Sequence, residues 1–343
     1  MIFYCPIFIE TYQGSFLIKD FMKISFIIFI SGLVTTIFTI IIKKYSTKFL
    51  LFQRVEDGRG KENMVRLGGV AIFVSFCLTF IFFKNFSYFD NDINLLDLIP
   101  YKVIFFGATC IFIIGLIDDF IYLSPKIRLI LQLIIGIIVW IYGLRFGNID
   151  ISFLGIGNNQ LVLPPFLNIL FSVMFLAGMT NAINWIDGLD GLAIGYICIV
   201  SLGIAVLLFL TNSPYSYLLL PLCLGGCSLG FLFFNFYPAK IYMGDGGSNF
   251  LGFMIASLVI MISQINQLNL RLPTVCFLNA LPVLNMLVVI FERLLNNLSP
   301  FYPDQRHIHH KIMKFGISHK KTVILLNLVS LLFVLFSIQV QMK

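Results

Sequence analysis

Four polar clusters interrupt an otherwise apolar chain, and their residue types belong to phosphate and divalent-cation chemistry. The first is Gly115-Leu-Ile-Asp118-Asp119, followed by Ser124-Pro-Lys126. Adjacent carboxylates repel, so one resists ionisation unless a cation stands near. Lys126, just past Pro125, is placed to grip a phosphate. The second is Asn181-Ala-Ile-Asn184-Trp-Ile-Asp187-Gly188-Leu-Asp190-Gly191. Helical continuation puts Asn181, Asn184 and Asp187 on one face, and the glycines let the backbone turn and approach a ligand. The third, Met243-Gly244-Asp245-Gly246-Gly247-Ser248, sets a hard oxygen ligand beside a glycine-rich helix start. A carboxylate there can hold Mg²⁺ while free N–H groups face phosphate oxygens. The fourth, Asp304-Gln-Arg306-His307-Ile-His309-His310-Lys311, gathers three of the four histidines with two cations. Its spacing is not that of a zinc helix motif, no cysteine is close, and the basic context suits an anionic substrate. Taken singly, each has a plainer reading: an interfacial Asp pair, an Asx-capped turn, an N-cap and a solvated basic loop. Together they are the equipment of Mg²⁺-assisted phosphoryl transfer. His319 stands apart and reads as incidental.

The elements that must position these clusters are membrane spans. Of 343 residues, 59% are hydrophobic and 11% charged, against about 45–50% and about 25% in soluble domains. That excludes a soluble enzyme, a disordered chain and a disulfide scaffold. The seven cysteines (Cys5, Cys77, Cys110, Cys198, Cys223, Cys227 and Cys276) mostly sit in apolar runs without paired spacing. Residues 1–23 carry Glu10 and Asp20 and show no cleavable signal. The expected fold is an all-α polytopic integral membrane protein of about ten transmembrane helices. They fall at roughly 24–42, 67–83, 101–117, 129–146, 166–181, 192–211, 215–234, 248–264, 274–292 and 322–340. A further span within residues 1–20 would make eleven. The segment 146–165, rich in Gly and Asn, reads as a small β-hairpin or an interfacial loop.

Loops after the odd-numbered spans hold 16 of the 23 basic residues, and the opposite side holds 7. The positive-inside bias makes the first set cytoplasmic. The chain is then one membrane domain, 1–343, with cytoplasmic loops about 43–66, 118–128, 182–191, 235–247 and 293–321. All four clusters fall in that set, which puts the active site on the cytoplasmic face. The net charge of +7 is read as topology plus a grip on phosphate, and not as a nucleic-acid surface.

The clusters resemble the signatures of the polyprenyl-phosphate N-acetylhexosamine-1-phosphate transferase family, of the glycosyltransferase 4 type. Asp-Asp, Asn-x-x-Asn-x-x-Asp-Gly-x-Asp-Gly, Met-Gly-Asp-x-Gly-Ser and a His-rich loop occur in order at 118–119, 181–191, 243–248 and 307–310. The resemblance runs from about Arg66 to Lys311. It departs after the first span, where the family pattern Asp-x-Pro, Arg-Lys-x-His and Pro-Arg-x-Gly-Gly is reduced to Arg66-Leu-Gly68-Gly69.

The resemblance implies that undecaprenyl phosphate attacks a UDP-N-acetylhexosamine in a bacterial inner (plasma) membrane, releasing UMP. UDP-GlcNAc is the first choice of donor. Other UDP-N-acetyl sugars, or UDP-MurNAc-pentapeptide, are the alternatives. The step would initiate a surface polysaccharide such as O-antigen or teichoic acid. By the same resemblance Asp245 binds Mg²⁺ (or Mn²⁺) with help from Asn184. Asp118 and Asp119 orient or deprotonate the acceptor phosphate. Lys126, Arg306, His307, His309 and His310 meet the donor's phosphates, and Asp187, Gly188 and Asp190 line the nucleotide pocket. The rival reading is a transporter or flippase of a phosphorylated lipid, which could also set charges at helix breaks. The outer loops, however, hold no comparable cluster.

Overall fold

The computed structural model describes residues 14–48, 53–57, 60–64, 66–85, 98–154, 160–265, 268–299 and 306–343. Asp304 and most of the segment considered for an eleventh span lie outside them. Twelve helices are seen among the described residues: α1 (Gly14–Lys48), α2 (Gly68–Asn85), α3 (Leu98–Ile121), α4 (Pro125–Ile141), α5 (Pro165–Ile186), α6 (Leu192–Leu210), α7 (Tyr215–Asn235), α8 (Gly244–Ser263), α9 (Leu272–Leu278), α10 (Ala280–Leu295), α11 (Ile308–Lys314) and α12 (His319–Met342).

The centre of the bundle is α8. Every residue from Gly246 to Ser263 is buried, as expected of a helix that is apolar all round. α3 and α5 pack along it, with α2 and α6 beside them. Close approach depends on glycine at Gly115 of α3, where a Cβ would sit 2.5 Å from the Asp245 carbonyl oxygen. The outer helices invert the rule for a soluble fold. Phe29, Ile40, Phe106, Phe171, Leu332 and many other large apolar side chains are exposed, so the solvent this surface fits is lipid.

All ten expected spans have a helix, but not all are single crossing helices. Eight are long and apolar enough to cross a membrane. α4, in place of the expected 129–146, has 17 residues. The expected span 274–292 is broken into α9 and α10, which meet at 74°. Pro282 explains the break. It has no N–H to offer the Leu278 carbonyl four residues back, and the Tyr196 hydroxyl donates to that carbonyl instead, at 2.9 Å.

Two antiparallel hairpins supplement the helices. β1 (Gln53–Asp57) pairs with β2 (Gly60–Met64), in a stretch read only as a loop. β3 (Ile149–Asp150) pairs with β4 (Gln160–Leu161), which settles segment 146–165 as a hairpin.

Candidate active site

The C-terminal ends of α3, α5 and α7 and the N-terminal ends of α4, α6, α8 and α12 meet at one end of the bundle. They enclose a cavity of about 390 Å³ lined by Asn184, Asp187, Gly188, Asp190 and Asp245, together with Arg66, Asn235, Tyr242, Gly244, His310 and His319. Local sequence explains the placement. α5 stops at Ile186, and Gly191, with φ +85°, turns the chain into α6. Asp187 and Asp190 are thereby held at the mouth between two helices. Gly244, at φ +72°, performs the same service before α8. Gly68 and Gly69 donate their N–H groups to the carbonyls of Tyr242 and Met243, at 2.9 and 2.8 Å. This docking fixes the neighbouring Arg66 at the cavity.

Asp245 faces the cavity half-buried. Asn184 Nδ2 donates to its Oδ1 at 2.5 Å and to Ser248 Oγ at 2.9 Å. The Asp pair stands behind it, with its two carboxylates divided between different partners. Asp119 accepts from the backbone N–H groups of Asp245 and Gly246, at 2.8 and 2.9 Å. It satisfies two of the donors left open at the start of α8. Asp118 accepts from Leu123 N at 2.7 Å and pairs with Arg128 at 2.6 Å. The same Arg128 nitrogen lies 4.0 Å from Asp245 Oδ1. Arg128 therefore ties the two acidic motifs together.

The histidine loop divides its work. His310 lines the cavity. His309 is buried and lies against Gly188, where a Cβ would come within 2.5 Å of its Nε2. His307 Nδ1 is 3.2 Å from Asn285 Nδ2, and Asn285 Oδ1 accepts from Ile308 N at 3.0 Å. The His307 ring also meets Trp185 edge-on, and the Arg293 guanidinium lies 4.9 Å from the centre of the Trp185 ring. Arg306 donates to the Glu292 carbonyl at 2.9 Å, and Lys311 pairs with the Glu292 carboxylate. His307, Arg306 and Lys311 thus dock α11 onto α5 and α10. Lys126 is exposed on the first turn of α4 and is not among the residues lining the cavity.

The electrostatics follow from burial first and from crowding of like charge second. The Asp187 carboxyl is held well above the usual carboxylate range, first by withdrawal from water and then by the charge of Asp245. Burial lowers His309 to about 3, with the neighbouring histidines pushing the same way, and burial also lowers His310. His309 is therefore neutral at physiological pH. The donor set fits a hard cation. Mg²⁺ binds through one or two carboxylates and keeps several waters, and Asp245 and Asn184 offer such a place, with Asp187 across the cavity. Among the described residues no group of three His, Cys, Asp or Glu side chains is spaced to cage a metal, as a structural zinc site would require.

Arg66, Arg128, Asn235, Tyr242 and His319 belong to this site and are absent from the ligands expected from sequence. Arg128 left a trace in the sequence, since Ser124-Pro125 is a helix start and places residue 128 one turn in. Asn235 and His319 left none, because their partners are remote in the chain.

Comparison with known proteins points to one family. Residues 101–263 match glycosyl transferase family 4. The chain is 31% identical over 307 residues to a probable undecaprenyl-phosphate N-acetylglucosaminyl 1-phosphate transferase of Bacillus subtilis, covering 89% of this chain and 81% of that protein. It is 27% identical to the undecaprenyl-phosphate alpha-N-acetylglucosaminyl 1-phosphate transferase of Escherichia coli O157:H7, covering 88% and 79%. To the Yersinia pestis protein of the same description it is 25% identical, covering 88% and 80%.

Proposed function

Because the chain belongs to glycosyl transferase family 4, the polyprenyl-phosphate N-acetylhexosamine-1-phosphate transferases, we propose that it moves GlcNAc 1-phosphate from UDP-GlcNAc to undecaprenyl phosphate and releases UMP. The observation that carries this reading is the single cavity in which Asp187, Asp190 and Asp245 face Arg66 and His310. Oxygen donors for a hard cation and positive or hydrogen-bonding groups for a diphosphate share one space at the end of an apolar bundle.

In the reaction an oxygen of the lipid phosphate attacks the phosphorus that carries the sugar. The bridging P–O bond breaks and its electrons leave with UMP. The acceptor phosphate is already largely ionised near neutral pH, its second pKa being about 6 by analogy with phosphorylated side chains. Positioning and charge stabilisation can then carry the step without a strong base. This matches the partners seen for Asp118 and Asp119, which hold Arg128 and the start of α8. Asp245, with Asn184, would hold Mg²⁺, which when bound neutralises charge gathering on the diphosphate. Arg66 and His310 face that diphosphate from the other walls. Asp187, Gly188 and Asp190 form the nucleotide side. The excess of basic residues in the odd-numbered loops makes this end cytoplasmic, where a UDP-sugar is available, in the plasma membrane of a bacterium. The product would start a surface glycan such as O-antigen or teichoic acid.

The test uses purified protein in detergent with undecaprenyl phosphate, Mg²⁺ and radiolabelled UDP-GlcNAc. UMP and a lipid-linked sugar are expected in equal amounts, and both should vanish with EDTA. Folded protein that releases no UMP from any UDP-N-acetyl sugar would overturn the assignment.

A further inference from the structure

The turn that carries Asp187 and Asp190 into the cavity is held by α12, the last described helix. His319, the first residue of α12, accepts a hydrogen bond at Nε2 from the Asp190 backbone N–H, at 3.0 Å. Its ring rests on Tyr237, with centroids 4.5 Å apart. Two turns further along α12, Asn327 Nδ2 donates to the Gly191 carbonyl at 3.4 Å. The end of α7 and the segment that follows it hold the same turn as well. Ala239 N donates to Asp190 Oδ2 at 3.0 Å, and Gly191 N donates to Asn235 Oδ1 at 3.1 Å. Asn235 in turn donates to the Ile241 carbonyl at 3.0 Å. Asp190 is thus fixed at both its amide and its carboxylate, and His319 itself lines the cavity.

We infer that His319 is a positioning residue of the nucleotide side of the site, fixing the Asp187–Asp190 turn through the Asp190 amide. The inference rests on the transferase reading above. A hydrogen bond accepted at Nε2 requires that this nitrogen carry no proton, so the neutral ring bears its hydrogen on Nδ1. The tilted contact with Tyr237, at an interplanar angle of 36°, helps hold the ring where this bond needs it. A glycine-flanked turn such as Gly188-Leu-Asp190-Gly191 has wide conformational freedom when released. Loss of the acceptor therefore lets the turn sample states in which the carboxylates no longer face the donor. Binding of the UDP-sugar weakens, while the Asp245 end of the cavity, built on α5 and α8, is left in place.

Three variants separate the parts of this contact. His319→Gln keeps an acceptor at similar reach, His319→Phe keeps the ring contact with Tyr237 without an acceptor, and His319→Ala keeps neither. The first measurement is steady-state kinetics on the wild type, whose UMP release establishes the transferase reading by itself. With that in hand, His319→Phe and His319→Ala should raise KM for the UDP-sugar about tenfold, the scale of one lost hydrogen bond. Their kcat and KM for undecaprenyl phosphate should stay within about twofold, and His319→Gln should recover most of the donor KM. A donor KM in His319→Phe equal to the wild-type value overturns the inference, as does a loss confined to kcat. The second measurement needs no activity: hydrogen exchange of a peptide covering residues 187–192 in folded protein. Faster exchange in His319→Phe than in His319→Gln supports the clamp, and equal protection in both removes it. Absence of turnover by the wild type, with the exchange difference present, would instead count against the transferase reading alone.

Discussion

At one end of the bundle Asp150 and Arg271 pair at 3.5 Å beside the β3–β4 hairpin. Around them Gln341 donates to the carbonyls of Leu268 and Asn269 and accepts from Arg271 N and the Thr274 hydroxyl. Gln264 likewise donates to the carbonyls of Gly143 and Arg145. At the other end Asp187, Asp190 and Asp245 face a cavity, and Asp187 is pushed towards its protonated form, first by burial and then by the charge of Asp245. Both ends are polar, and both close loops between apolar helices. The first turns its polar groups on one another, which is what stability asks of groups near a membrane. The second leaves like charges close together and aimed at open space, which costs stability, and under the proposed function a cation and a phosphate would complete it. A transporter would need a comparable cluster at each end, and the hairpin end has none among the described residues.

The comparison can be broken at its strongest point first. Asp245→Asn should lower UMP release by roughly a thousandfold, the scale of losing one charge-stabilising group in a transition state, with little change in melting temperature. Retention of more than a tenth of the activity would mean that the cavity end does not work through this carboxylate.

Arg128→Gln comes next and should cost both properties. It strips Asp118 of its ion-pair partner in a buried setting, where breaking one side of a pair costs about 3–5 kcal/mol. Arg271→Gln, at the more exposed hairpin pair, should cost only about 1–2 kcal/mol and leave turnover intact. Denaturation of both variants in detergent measures the difference. Equal losses would erase the distinction drawn between the ends.

The third test is acid. His309 stays neutral in the folded protein down to about 3, against an ordinary value of 6.5. As pH falls below about 6.5 the unfolded chain takes up a proton that the folded one refuses. Stability contributed by this group therefore falls from about pH 6.5 downward, by up to about 1.4 kcal/mol per unit, and levels off near pH 3. His309→Gln should flatten that part of the profile in melting curves. An unchanged profile would show that His309 is not held neutral.

Gln341→Ala, at the hairpin end, should act on stability and barely on turnover. It should lower stability by about 1–3 kcal/mol through lost hydrogen bonds and shift both kinetic constants by less than twofold.

Legibility differed by region for a physical reason. The apolar runs announced the helices, because spans of about 20 residues have no soluble alternative in so apolar a chain. The break at Asn279 was hidden in such a run, and only the Pro282–Leu278 mismatch, met by Tyr196, accounts for it. In the site, Asn184, Asp187, Asp190 and Asp245 could be named together because glycine and carboxylate spacing is local. Asp118 and Asp119 look equivalent in sequence, yet one pairs with Arg128 and the other caps α8. Which does which depends on the direction each side chain takes at the end of α3.

The sequence by itself determined the solvent, the helices and the identity of the acidic motifs, since hydropathy and short spacings act over a few turns of chain. The tertiary structure decided which distant side chains meet those acids. Arg66, Arg128 and His319 reach the site from three separate elements, and His319 lies 129 residues from the Asp190 amide it holds. Contacts at that separation are set by how helices cross and how glycines let backbones approach, and neither is written in the residues between them.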